Sequence, residues 1–398
     1  MTPDGRSFSI SQRFNRGLKA RSQMNASEYS DEVAPDRRQP HSVTSDWRIY
    51  RGTGRPLHDI KWSELLPPPP PWRVFNGQPL PVNEAPPADD GETARKLGSA
   101  SSHLTERDVD PNEVDMVNAA LYLRRPLLVT GPPGCGKSSL AFRIARELRL
   151  GRVLRWPITS LTTLKSGLYL FDAIARAHAA AVRQATLRLN VGNPSDLEEA
   201  LREPPIGEYV KLGPLGTAFL PRKLPRVLLI DELDKSEADL PNDLLSILED
   251  GQFTIPELER IRSRIPTVSV FTDDPPETAD VSGGRVRCNA FPMIVITSNG
   301  ERDFPPAFLR RCLRLEIEPP NESRLAKMVA SHLLGPDGEQ HNQLIHEFVE
   351  RSLASGGLPT DKLLEALYLA TSGAYSEKHE SWPRLVDALW RQLSPLGQ

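Results

Sequence analysis

The sequence has no apolar run approaching the roughly twenty residues that a bilayer-spanning helix needs, so no membrane span is expected. Its first stretch, Met1 to Gln23, is polar and arginine-bearing and lacks an apolar core, so no secretion signal is read there. Cysteine is scarce: Cys135, Cys288 and Cys312 lie far apart, with neither metal-ligand spacing nor an even count for a disulfide framework. They read as reduced thiols of a cytoplasmic protein. Charge of one sign is missing too. Lys and Arg number 49 against 52 Asp and Glu, and the net charge of −3 gives no global argument for nucleic acid or an anionic membrane as partner. No internal repeat is visible. What remains is 398 residues with 38% hydrophobic content, enough for two ordinary domains plus disordered sequence.

Against these absences stands one dense stretch. The apolar run Leu127-Leu128-Val129-Thr130 leads into Gly131-Pro132-Pro133-Gly134-Cys135-Gly136-Lys137-Ser138-Ser139, and an amphipathic segment follows from Leu140. This is the strand–loop–helix pattern of a phosphate-binding P-loop. Glycines let the backbone curl until several N–H groups point into one concavity. Lys137 offers a point charge for β- and γ-phosphates, and the Ser138 hydroxyl is placed to bind Mg²⁺. The start of the helix adds its positive dipole end. A glycine-rich turn that binds nothing is the plainer alternative, and the full G-x-x-x-x-G-K-S spacing in this context argues against it. Because Cys135 lies inside the loop, alkylation there is expected to block nucleotide binding.

Residues 1 to about 45 are polar, of mixed charge and without periodicity, which predicts disorder. Trp47, Trp62 and Trp72 then surround five prolines, Pro67 to Pro71. Three indoles are costly to leave solvated, so this extended arm is expected to pack on something. It either lies on this protein or a neighbouring copy, or offers a polyproline II rung to a partner. Leu80 to Ser102 reads as a linker.

The globular part starts near Asp110-Pro111 with an amphipathic helix through Val114, Val117 and Leu121. Val153 to Ile158 reads as a second strand, about Ala173 to Arg188 as an alanine-rich helix, and Ser195 to Glu198 as a capping box. Leu240, Leu244, Leu245 and Leu248 form one face of a helix that stops at Gly251. Residues 262–289 predict an inserted hairpin. From Glu322 onward, through Leu325, Met328, Val329, Leu333 and Leu363 to Leu369, the pattern is helical only.

Three further signals carry chemistry. Val227 to Ile230 is a wholly apolar strand ending in Asp231-Glu232, as a central parallel sheet offers at its carboxyl edge. Asp231 is suited to hold Mg²⁺ through water, and Glu232 to orient or deprotonate an attacking water. Asn299, at the end of the apolar strand Met293 to Ser298, either contacts that water or is the first half of an ordinary Asn-Gly turn. The short proline-started helix Phe304 to Cys312 ends in Arg310 and Arg311. Such guanidinia stabilise a transferring γ-phosphoryl, or are surface arginines favoured by a helix dipole.

Taken together, the P-loop, Leu212-Gly213-Pro214-Leu215-Gly216-Thr217, Ile230 to Lys235, Leu240 to Leu245 and Thr297 to Cys312 resemble the AAA+ ATPases, and most closely their MoxR-type branch. The resemblance covers residue 110 to the C-terminus. It implies a parallel sheet flanked by helices (residues 106–320), a small all-helical lid (321–398), and an extended or largely disordered arm (1–105) outside the core. It further implies ATP and Mg²⁺ as ligands, Walker A at Gly131 to Ser138, Walker B at Val227 to Glu232 and sensor 1 at Asn299. An arginine finger acting in trans falls best at Arg311, with Arg310 second. The sensor 2 arginine common in relatives is absent, and Lys362 is the nearest substitute. The implied assembly is a homo-oligomeric ring, a hexamer by resemblance, remodelling a protein client with a von Willebrand factor A-domain adaptor. A nucleotide-controlled switch in a regulatory or conflict system is the alternative, and a nucleic-acid translocase is disfavoured by the near-neutral charge. A client-gripping pore loop would fall near Leu164 to Phe171, with Tyr169 as its aromatic, unless Tyr169 simply packs inside.

Overall fold

In the computed structural model the described residues are 47–58, 66–78, 87–89, 91–98, 109–189, 204–319, 325, 342–354, 360–371 and 380–390. The chain divides into residues 1–47 and 48–398, and the second unit holds every element below. The expected disorder before residue 45, the capping box at Ser195, Trp62, Met328, Val329 and Leu333 lie outside the described residues.

The elements run α1 (Glu92–Leu97), α2 (Pro111–Leu123), β1 (Leu127–Thr130), α3 (Lys137–Glu147), β2 (Leu154–Pro157), α4 (Leu164–Leu168), β3 (Tyr169–Phe171) and α5 (Ala173–Leu189). Then come β4 (Val210–Leu212), α6 (Pro214–Ala218), β5 (Val227–Asp231), α7 (Leu240–Asp250), β6 (Gln252–Thr254) and α8 (Pro256–Glu259). They are followed by β7 (Thr267–Phe271), β8 (Thr278–Ser282), β9 (Arg285–Arg287), β10 (Met293–Ser298), α9 (Pro306–Leu309) and β11 (Leu313–Glu316). The chain closes with α10 (Asn342–Ala354), α11 (Thr360–Thr371) and α12 (Trp382–Trp390).

Five strands form a parallel sheet in the order β11-β1-β10-β5-β2. The apolar strands are buried on both faces, as parallel strands between helices must be. Alternation assigns each residue its side. Leu127, Val129, Val227, Leu229, Met293 and Val295 pack against α3 and α2, whereas Leu128, Leu228, Ile230, Ile294 and Ile296 pack toward Leu244 and Leu248 of α7.

The expected hairpin at 262–289 is only part of a larger element. Strands β7, β8 and β9 join β3, β4 and β6 in a six-stranded sheet of order β3-β4-β7-β8-β9-β6. Pairing between segments so distant in sequence leaves no local pattern to read. A buried ion cluster fastens this sheet to the central one. Arg226, just before β5, pairs with Asp274 in the β7–β8 turn, and Arg152, just before β2, lies 3.2 Å from Asp273 and 3.3 Å from Asp274. Arg222 joins the cluster through Glu277 at 2.8 Å.

The described parts of the arm include residues that pack into the core. Tyr50 is fully buried and donates its hydroxyl to Glu113 of α2 at 2.9 Å, while Asn118 accepts from the Ile49 and Tyr50 backbone. Glu147, the last residue of α3, accepts from the backbone N–H groups of Arg51 and Gly54. Phe75 stacks on Phe291 at 5.4 Å. Trp72 is 78% exposed in the single chain, and it is its neighbour Arg73 that packs, over the Phe291 ring at 4.4 Å. Within the expected linker, α1 forms and packs on α3. The C-terminal helices share a separate core of Leu344, Ile345, Phe348, Leu363, Leu367, Val386 and Trp390.

Candidate functional site

The site lies at the carboxyl edge of the central sheet, where adjacent strands release their loops side by side. Register places Ser298 beside Thr130, and Ile296 beside Ile230. The loop after β1, the carboxylates after β5 and Asn299 after β10 therefore leave the sheet as neighbours.

Two glycines of the loop are needed for different reasons. Gly136 has φ +93° with open space around it, so only its backbone angle excludes other residues. At Gly131, φ +149°, a Cβ would also lie 2.4 Å from the Ile317 carbonyl oxygen, so space excludes a side chain as well as the backbone angle. Lys137, first residue of α3, is 7% exposed, and its Nζ donates to the carbonyls of Gly131 at 2.9 Å and Pro132 at 2.8 Å. Ser138 Oγ donates to Asp231 Oδ1 at 2.6 Å. Cys135 is 5% exposed, so the loop thiol expected to take an alkylating reagent is shielded.

Asp231 Oδ1 also accepts from Thr297 Oγ1 at 2.8 Å, and that hydroxyl accepts in turn from the Glu232 N–H at 2.8 Å. Thr297 thus ties the two carboxylate residues to β10. Sequence reasoning missed it, and its signal is a hydroxyl near the end of a largely apolar strand. Glu232 sits at φ +61°, a conformation that costs a non-glycine residue about 1–2 kcal/mol. Its Oε2 meets Lys235 Nζ at 2.7 Å, and this carboxylate raises the lysine's pKa. Asp234 is the second residue that sequence reasoning missed. Its Oδ2 accepts from the N–H groups of Asn299 at 2.8 Å and Glu301 at 3.1 Å, which sets the height of the asparagine above the sheet. Arg155 is the third, standing 3.6 Å from Asp231 Oδ2.

Other candidates are elsewhere. Arg310 and Arg311 precede β11, and Leu313 pairs with Leu127. They therefore lie at the amino edge of the sheet, level with Arg125, whose guanidinium donates to the carbonyls of Arg310 and Arg311. Six residue steps along β1 and its flanks separate Arg125 from Gly131, about 20 Å at the rise of a β-strand. Arg311 cannot reach its own phosphate loop. Its Nε instead meets Glu249 Oε2 at 2.7 Å, and Arg310 is exposed. Lys362, on α11, pairs with Glu365 at 2.9 Å. Tyr169 is not the exposed aromatic of a pore loop: it is 4% exposed and donates to Glu257 at 2.8 Å, while the next residue, Leu170, faces out.

The donor set suits a hard divalent cation. A hydroxyl and a carboxylate converge within hydrogen-bond distance beside a lysine-bearing loop, and Mg²⁺ is commonly held by one or two carboxylates plus substrate phosphates. Among the described residues no cluster of three or more His, Cys, Asp or Glu forms a protein-only metal cage.

The sheet order, the loop and the strand-end carboxylates define a P-loop domain of the AAA+ fold. Residues 126–312 match the family model of the AAA domain, dynein-related subfamily. Two solved structures of RuvB from Thermotoga maritima are similar at 13% and 14% identity, each with a TM-score of 0.34. The first covers 72% of this chain and 70% of that one; the second, described as a Holliday junction branch migration motor, covers 74% and 73%. Likenesses this distant carry no information about what the chain acts on. No curated protein matches the chain. Among the described residues no helix is long and apolar enough to cross a membrane.

Proposed function

We propose that the chain is an ATP-hydrolysing ring ATPase whose active site is completed by a neighbouring copy. The observation that carries this is the placement of Arg311. It stands at the opposite edge of the sheet from the loop of its own chain, so Arg311 can act on a γ-phosphate only in another subunit's site. A head-to-tail contact of this kind gives a ring when its rotation closes, which is the assembly we propose.

In this reading the backbone of Gly131 to Ser139 and the Lys137 ammonium hold the triphosphate. Ser138 and Asp231 would hold Mg²⁺, which would supply positive charge to offset that of the phosphates during transfer. Glu232 accepts a proton from the attacking water after letting go of Lys235, and Asn299 orients that water. Arg311 of the neighbour, or Arg310 beside it, compensates the growing negative charge. Lys362 approaches the nucleotide from the helical part. Glu232→Gln is expected to keep Mg·ATP binding and lose turnover by a factor of roughly 10²–10⁴. Wild-type turnover in that variant overturns the assignment of the base.

The finer reading is a MoxR-type remodeller of a protein client, working with a von Willebrand factor A-domain adaptor. It is supported by Leu212 to Thr217 and by the run from Thr297 to Cys312, which resemble that branch. Capture of such an adaptor by Glu232→Gln in ATP, and its loss in ADP, is the expected result. ATPase stimulation by nucleic acid instead of protein overturns it.

A further inference from the structure

Arg155 lies on β2 opposite Leu229, on the sheet face that also carries Val153 and packs against α3. Its Nη2 is 3.6 Å from Asp231 Oδ2, and its Nη1 is 2.7 Å from Glu92 Oε1. Its Nε is buried and finds no hydrogen-bond partner among the described residues. Glu92 is the first residue of α1, and Arg95 Nη2 stands 3.4 Å from the same carboxylate oxygen. Arg146 of α3 anchors this helix through the carbonyls of Thr93 at 3.1 Å and Gly98 at 2.9 Å.

The two distances rank the partners. At 2.7 Å the contact with Glu92 is a charge-assisted hydrogen bond, whereas 3.6 Å to Asp231 is too long for one and leaves Coulomb attraction alone. The ranking matters at Asp231. Its Oδ1 already accepts from Ser138 and Thr297, so Oδ2 is the oxygen on which a guanidinium and a metal ion compete. Both cations draw on the same single negative charge. Among the described residues, Asp231 is the other carboxylate paired with Arg155, onto which a guanidinium released from Glu92 can move.

We propose that Arg155 is a positioning residue which Glu92 holds away from Asp231, so that docking of α1 sets how much Mg²⁺ the site requires. The proposal rests on Asp231 being the metal-binding carboxylate. Its content is that a segment N-terminal to the AAA domain tunes metal loading through one arginine.

The test uses the full chain with a fluorescent, non-hydrolysable ATP analogue. Mg²⁺ is titrated to the midpoint of analogue binding, and Mn²⁺ occupancy is counted by electron paramagnetic resonance. Glu92→Gln is expected to raise the metal midpoint roughly tenfold, the scale on which outer-shell partners of a metal site act. Arg155→Gln is expected at or below the wild-type midpoint, and Glu92→Gln added to it is expected to change nothing further. Arg155→Lys, which keeps the charge, is expected to retain part of the sensitivity to Glu92→Gln. An unchanged midpoint in Glu92→Gln, or an equal rise on the Arg155→Gln background, overturns the proposal, the latter because it marks α1 as a mere structural prop. Should Glu92→Gln not fold, Glu92→Asp, which withdraws the carboxylate by one methylene, supplies the same comparison with a smaller shift. Asp231→Asn separates the two levels. If it leaves the metal midpoint unmoved, the underlying reading of the site fails; if it moves the midpoint while Glu92→Gln does not, only the role of Arg155 fails.

Discussion

At the carboxyl edge of the central sheet the chain gathers a lysine, two carboxylates, two hydroxyls and an asparagine. At the amino edge of the same strands it gathers arginines: Arg125 before β1, Arg152 before β2, Arg226 before β5, and Arg310 and Arg311 before β11. The two edges differ in how their charges are settled. Ser138, Asp231, Thr297 and the Glu232 backbone form one continuous hydrogen-bonded chain. At the amino edge Arg226 and Arg152 are neutralised internally by Asp273 and Asp274, and Arg125 is spent on carbonyls. Arg311 pairs with Glu249, and both side chains are well exposed, at 38% and 59%; its Nη1 also donates to the Ala307 carbonyl one turn back at 3.2 Å. An exposed pair of this kind is worth at most about 1 kcal/mol, so little holds Arg311 back from a stronger anion on another molecule. One edge is nearly complete within the chain, and the other keeps a loosely held cation at its rim.

The largest effect breaks the comparison outright. Lys137→Ala and Arg311→Ala are each expected to lose ATP turnover by roughly 10³-fold or more. Mixing the two inactive proteins restores measurable turnover if the arginine acts in trans, because some interfaces then pair an intact loop with an intact arginine. Absence of recovery at concentrations where the proteins assemble argues that the edges are unrelated. Next in size is Asp274→Ala, which leaves Arg226 buried without its partner. Its expected cost is about 3–5 kcal/mol, read from denaturant unfolding. Thr297→Val sharpens the picture of the carboxyl edge. Losing the hydroxyl leaves the Glu232 N–H unpaired and is expected to cost about 1–3 kcal/mol, with turnover falling more than nucleotide affinity. Smallest is Lys235→Ala. The exposed pair with Glu232 contributes under about 1 kcal/mol to stability, so unfolding should barely move. Turnover should hold or rise as the carboxylate is freed.

Much of the carboxyl edge was legible in the residues. A run such as Leu127 to Thr130 followed by Gly131 and Lys137 encodes its own local geometry, since backbone angles, helix start and phosphate chemistry lie within a dozen positions. The apolar strand ending in Asp231-Glu232 was equally local. Thr297, Asp234 and Arg155 were not legible, because each acts on a partner more than sixty positions away. The bond from Asp234 to the Asn299 N–H exists only once β5 and β10 lie side by side. In the arm, too, the contacts are with residues far away in sequence. Trp72 looks like the residue to bury, yet Tyr50 and Phe75 are the ones with holes to fill.

By itself, then, the sequence determined which segments become buried parallel strands, where the phosphate loop curls and which carboxylates follow β5, all of it chemistry of short range. Only the tertiary structure decided which edge each charged group occupies. Strand order and direction, set by packing between distant segments, place Glu232 beside the loop and Arg311 about 20 Å from it, a distance no side chain spans.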